Sequence, residues 1–101
     1  MTRTEILDIA KQTVSVDRNQ QYGEPEDNFS RIAHYWTVYL DKKVTAADVG
    51  RMMVLFKVAR AQAGAKDDNY IDMAGYAACA GEIEWIAENI DRTATIRKEG
   101  E

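Results

Sequence analysis

The chain has 101 residues, enough for one domain, with 46% hydrophobic and 30% charged residues and a formal net charge of −4. That balance is globular and gives no compositional sign of disorder, and the acidic charge argues weakly against direct nucleic-acid binding, which needs a basic stripe. No apolar run approaches the ~20 residues that cross a bilayer, and Met1-Thr2-Arg3-Thr4-Glu5 carries no apolar leader core, so a cytoplasmic protein without membrane association is expected. The single cysteine, Cys79, lies among alanines and reads as a small buried hydrophobe in a reducing compartment.

The elements follow in chain order. Thr2-x-x-Glu5 is a capping-box pattern, and Ile6, Leu7, Ile9, Ala10 and Val14 continue it as a helical stripe to about Val16. Asp17 to Gly23 is polar and reads as a loop or frayed turn. Glu24-Pro25 opens a second helix, with Glu26 and Asp27 where the helix dipole favours negative charge. Its core stripe is Phe29, Ile32, Ala33, Trp36 and Leu40. After the connector Asp41-Lys42-Lys43, Thr45-x-x-Asp48 is a second capping box. The helix behind it is apolar on most sides and is expected to be central. A turn around Gly64 and Lys66 leads to a fourth helix, capped by Asp67 or Asp68 and running to about Ile90, roughly 35 Å at 1.5 Å per residue. Small residues from Ala74 to Gly81 invite close approach by another helix. The tail, residues 91–101, shows no core pattern and is expected to be mobile. The sum is one all-α domain, a compact bundle of about four helices.

Helices three and four, joined by a short turn, should pack antiparallel. Counting back from the turn brings Lys57 near Asp72 and Arg60 near Asp68, with each pair of like charges on one helical face. Two readings stand open. The four charges form a structural ion-pair network that fixes the hairpin register. Alternatively, Lys57 and Arg60 hold phosphate oxygens while Asp68 and Asp72 ligate Mg²⁺, with one carboxylate of Glu24, Glu26 or Asp27 completing the site. His34 has no chelating partner, and one histidine with one cysteine cannot close a zinc site. Trp36, Tyr39, Tyr70, Tyr76 and Trp85 read as core or interface aromatics.

Four segments together resemble a family of small uncharacterised phage and prophage proteins, a domain of unknown function. They are Tyr22 to Phe29, Ile32-Ala33 with Trp36, Met52-Met53 with Lys57 and Arg60, and Asp67 to Tyr76, within a match over about residues 15–88. More distantly, Lys57-x-x-Arg60 followed by Asp68-x-x-x-Asp72-x-x-Gly75-Tyr76 looks like the all-α nucleoside triphosphate pyrophosphohydrolases of the MazG and dimeric dUTPase superfamily. That resemblance implies a MazG-like fold, a homo-oligomer, and Mg²⁺-dependent hydrolysis of a nucleoside triphosphate to monophosphate and pyrophosphate. Asp68 and Asp72 would ligate the metal, Lys57 and Arg60 would neutralise phosphate, and Glu24 or Asp27 would serve catalysis. The family's pattern carries glutamates where this chain has Lys57 and Arg60, and a glutamate where it has Asn69. The same resemblance is compatible with a non-catalytic module that sequesters a nucleotide, and the residues alone with a helical interaction protein whose charges are structural.

Overall fold

The computed structural model describes residues 1–17, 24–64 and 66–100, with side-chain surroundings given for residues 1–15, 24–64 and 66–89. Of the loop expected from Asp17 to Gly23, Asp17 instead closes a π-helical turn, and residues 18–23, including Tyr22 and Gly23, lie outside the described residues. Four helices carry the fold: α1 (Arg3–Gln12), α2 (Pro25–Leu40), α3 (Ala46–Ala63) and α4 (Asp67–Gly100). A π-helical turn, Thr13–Asp17, extends α1. No strand occurs among the described residues, so the protein is all-α as its periodicity predicts.

Both capping boxes form. The Thr2 hydroxyl accepts from the Glu5 amide at 3.2 Å, and the Glu5 carboxylate accepts from the Thr2 amide at 3.1 Å. At the head of α3 the Asp48 amide donates to the Thr45 hydroxyl (3.1 Å) and the Thr45 amide to the Asp48 carboxylate (3.0 Å). Each box satisfies two amides that a helix start leaves without intrahelical partners. Pro25 takes the first position of α2, where its missing N–H costs nothing. That helix ends on Asp41 with φ of 53°, a left-handed cap that an aspartate tolerates better than most residues. The connector is then pinned by Thr37, whose hydroxyl accepts from the Val44 amide at 2.9 Å and donates to the Val44 carbonyl at 3.2 Å.

Helix α4 is the long element. Asp67 begins it instead of capping it, and the Asn69 amide bonds the Lys66 carbonyl at 3.1 Å. It also continues to Gly100 and does not end near Ile90. Residues 91–99 contain no glycine or proline and are rich in helix formers, so nothing in the backbone stops the helix there.

Helix α4 packs on α3 and α1 and also meets α2, where the Phe29 and Tyr76 ring centroids are 6.2 Å apart; α3 takes α2, and among the described residues α1 does not reach α2 or α3. The core is correspondingly small: Phe29, Ala33, Val44, Val49 and Cys79, flanked by Val14, Ile32, Trp36, Ala46, Met53, Tyr76 and Ile83. Of the large side chains among the described residues only Phe29 and Val49 are fully buried. Three expectations need correction. Leu40, the last residue of the α2 stripe, is half-exposed, because α3 leaves the corner before reaching it. Of the aromatics expected in the core or an interface, Trp36 and Tyr76 pack on the core, whereas Tyr39, Tyr70 and Trp85 are exposed and so are not core residues. Helix α3 is central on one side only: Val49 and Gly50 are buried, yet Leu55 and Phe56 face outward.

The tightest contact in the fold is at Gly50. A Cβ there would lie 2.8 Å from the Ala80 Cβ and 3.2 Å from the Tyr76 carbonyl oxygen. Neither neighbour is a flexible side-chain end, so α3 and α4 would have to move apart. Gly50→Ala is therefore expected to destabilise the fold by about 1–2 kcal/mol, overpacking outweighing the ~1 kcal/mol that alanine gains over glycine in a helix. Thermal melting of the variant checks this, and a raised melting temperature would contradict the close approach.

The second capping box also predicts a titration. The Asp48 carboxyl is held below its ordinary value, first by the Thr45 amide, then by the Thr45 hydroxyl, with Arg51 contributing. A lowered folded-state pKa gives stabilisation that is complete above the unfolded value near 3.9 and is lost as pH falls through the folded one. Carboxyl NMR should place the Asp48 midpoint below that of an unstructured aspartate. Thr45→Ala, which removes the hydroxyl and keeps the amide, should raise it part of the way and cost about 1 kcal/mol of stability.

Candidate functional site

The seam between α3 and α4 carries the charges. Seven residues separate Gly50 from Lys57 and eight separate Ala80 from Asp72, about two turns on each helix. The register fixed at the Gly50–Ala80 contact therefore delivers Lys57 to Asp72, and their Nζ and Oδ2 atoms lie 2.7 Å apart. The Lys57 side chain retains 16% of its exposure and that of Asp72 36%, so the pair stands at the edge of the core with water on one side. On the other side of the close approach, Arg51 pairs with both Asp48 and Glu84.

Arg60 departs from its expected partner. No salt bridge joins it to Asp68 among the described residues; its guanidinium carbon sits 5.7 Å from the Phe56 ring centroid, and the Lys57 ammonium lies 5.8 Å from the same ring. Arg60 and Phe56 are i, i+4 on one helix, so the contact is local and costs little to order. Asp68 is exposed in the first turn of α4, where the helix end and water satisfy its charge. The result is two cations near one aromatic ring, one of them held by Asp72.

Next to this pair, one turn earlier on α4, Asn69 is 6% exposed, and its side-chain amide makes no hydrogen bond among the described residues. Buried amides are normally bonded, and leaving one unpaired costs about 1–3 kcal/mol. Sequence reasoning found Asn69 only as a departure from a family pattern. Its burial follows from sharing the α3-facing side of α4 with Asp72 and Tyr76, a spacing of three and seven residues that was visible in the sequence.

The remaining expected residues do not join the seam. Glu24 precedes α2 and Asp27 lies in its first turn, both exposed, and no hydrogen bond or ion pair links their carboxylates to Lys57, Arg60, Asp68 or Asp72. Among the described residues no three aspartate, glutamate, histidine or cysteine side chains converge as a metal ion would need. His34 is exposed and lines a small concavity of about 360 Å³ with Ser30, Thr37 and Lys43 at the α2–α3 corner. No helix among the described residues is long and apolar enough to cross a membrane.

These features define a small all-α domain with a cation-bearing helix seam. The chain belongs to a family described as a domain of unknown function, DUF6378, matched over residues 5–84. It is 40% identical over 79 residues to the Gene 55 protein of Mycobacterium phage D29, covering 77% of this chain and 52% of that protein. It is 39% identical over 74 residues to the Gene 55 protein of Mycobacterium phage L5, covering 71% and 47%. The chain thus spans about half the length of these curated relatives. No solved structure matches it.

The Lys57–Asp72 pair can be tested as a structural element. Asp72→Asn leaves a mostly buried ammonium with a neutral partner. The cost for a fully buried pair reaches about 3–5 kcal/mol; with Asp72 more than a third exposed, solvent reduces it to about 1–2 kcal/mol. Lys57→Met, which keeps the aliphatic stem and leaves the aspartate free to reach water, should cost less. Denaturant melts of both variants check the order.

Proposed function

We propose that this phage-related domain binds a phosphorylated ligand, a nucleotide being the best candidate, at the outer edge of the α3–α4 seam. The carrying observation is the pair of cations, Lys57 and Arg60, on the Phe56 ring. Arg60 has no acidic partner among the described residues, so its donors are available for phosphate oxygens. The half-exposed Phe56 ring beside them offers a face on which a base can stack.

The donor set does not fit the metal that the pyrophosphohydrolase resemblance implies. Mg²⁺ needs carboxylates free to coordinate it; Asp72 is bound to an ammonium, Asp68 stands apart, and Glu24 and Asp27 do not join them. Lys57 supplies at Asp72 the positive charge that a divalent ion would otherwise bring. Hydrolysis is therefore the second reading, favoured only by the motif around Asp68 to Tyr76, and no step through a metal is derived.

Thermal melting with a panel of ribo- and deoxyribonucleoside mono-, di- and triphosphates, with and without Mg²⁺, tests the reading. Binding to the folded state alone stabilises by about 2.7 kcal/mol at 100 times the dissociation constant. We expect a rise in melting temperature that does not require Mg²⁺ and that Arg60→Gln abolishes while leaving the unliganded melt unchanged, since Arg60 is exposed. Pyrophosphate release that depends on Mg²⁺ would establish the hydrolase reading instead. A melt indifferent to every nucleotide would remove both.

A further inference from the structure

The net charge of −4 averages over a molecule whose faces differ. Helix α2 packs inward through Phe29, Ile32, Ala33 and Trp36. Its opposite side carries Arg31, Tyr35, Val38 and Tyr39 at i, i+4, i+7 and i+8, one helical face about 12 Å long. All four are exposed, and Tyr39, at 88%, is the most exposed large hydrophobic or aromatic side chain among the described residues.

The end of the helix adds charge to this face. Asp41 turns the chain in its left-handed conformation, and Thr37 holds Val44 to α2. Lys43 is thereby brought back beside Ser30 and His34, and the three line the polar concavity on the flank of the same helix. Lys42 stands exposed at the turn. Arg31, Lys42 and Lys43 form no ion pair among the described residues. Asn28 to Leu40 contain no acidic residue, and the neighbouring acids, Asp27 and Asp41, stand at the two ends of the face.

We propose that the outer face of α2 docks single-stranded nucleic acid, with two bases stacked on Tyr35 and Tyr39 and the adjoining phosphates on Arg31, Lys42 and Lys43. The two rings are one turn apart, about 6 Å along the axis, so each has space for its own base. Every base has a face to stack, so such a surface takes a strand without reading its sequence. The shape selects this occupant. An exposed helix face is a convex ridge, whereas a small ligand needs a concavity and a peptide helix needs a groove. Val38 is the one aliphatic side chain on the ridge, too little apolar surface to anchor it in a lipid interface. A strand laid across rings and cations needs neither groove nor depth. The inference is independent of the nucleotide reading at the seam, because none of these residues lies on α3 or α4.

Fluorescence anisotropy with a labelled 12-mer of deoxythymidine at low salt tests the proposal on the full chain. Three phosphate contacts on a single strand predict a logarithmic salt slope of about −2, or about a fourfold loss of affinity per doubling of salt. Lys42→Gln combined with Lys43→Gln should reduce that loss to less than about twofold. Tyr39→Ala should weaken binding at least about fivefold, and an abasic 12-mer with the same phosphates should bind the wild-type chain more weakly by at least that factor. Arg60→Gln should change nothing, which separates this surface from the seam. Should Tyr39→Ala fail to fold, NMR of the wild-type chain supplies the same information: the Tyr35 and Tyr39 ring protons should move upfield as the oligonucleotide is added. No binding at low salt would overturn the proposal, as would an abasic strand that binds equally well or a Tyr39→Ala variant that binds like the wild type. Tighter binding to polyglutamate or to phosphatidylserine vesicles would assign the face to another anionic partner and overturn it as well.

Discussion

The separation of α3 and α4 at Gly50 is the constraint on which the rest depends. Because no side chain stands between Gly50 and Ala80, the two backbones approach until the Ala80 methyl and the Tyr76 carbonyl bound the space. Helices this close must keep their register over the following turns, which is why Lys57 finds Asp72 two turns away and Arg51 finds Glu84 on the other side. The same closeness explains the modest core. Between α3 and α4 there is little volume to fill, and the larger interior residues, Phe29 and Val49, serve the junction of that pair with α2.

The charge arrangement on the seam has a consistent logic. A site for a divalent cation gathers anions. Here α3 contributes Lys57 and Arg60, and α4 one carboxylate that meets one of them. Beside Phe56, two cations face one carboxylate. The proposal of an anion with an attached planar group rests on those two cations and that ring. The half-length overlap with the phage relatives leaves the whole relatives free to add residues to such a site, and the reading concerns this domain alone.

Much of the fold was legible because it is encoded locally. Thr2 with Glu5, Thr45 with Asp48, and Pro25 at the first position of α2 specify helix starts by chemistry confined to one turn, and each appears where the residues place it. The Lys57–Asp72 contact was legible too, since a short turn and helical rise fix which residues face each other. Coverage of the faces was not. Periodicity groups Leu55, Phe56 and Leu40 with the apolar residues, but whether another helix lies over them depends on how many helices the chain has to spend. Arg60 shows the same limit at the scale of one side chain: an aromatic four residues away outcompetes a carboxylate across the turn, a balance of solvation and local contact that spacing does not record.

The α2–α3 corner has a consequence for exchange with solvent. The Val44 amide lies in a connector, where backbone hydrogens normally trade with water within moments, yet it donates to a side-chain oxygen three residues before α2 ends, and its own residue is buried. That proton can leave only when the bond between Thr37 and Val44 opens. Its deuterium uptake thus becomes a clock for opening of the corner, separate from the fraying of either helix and readable at a single backbone position.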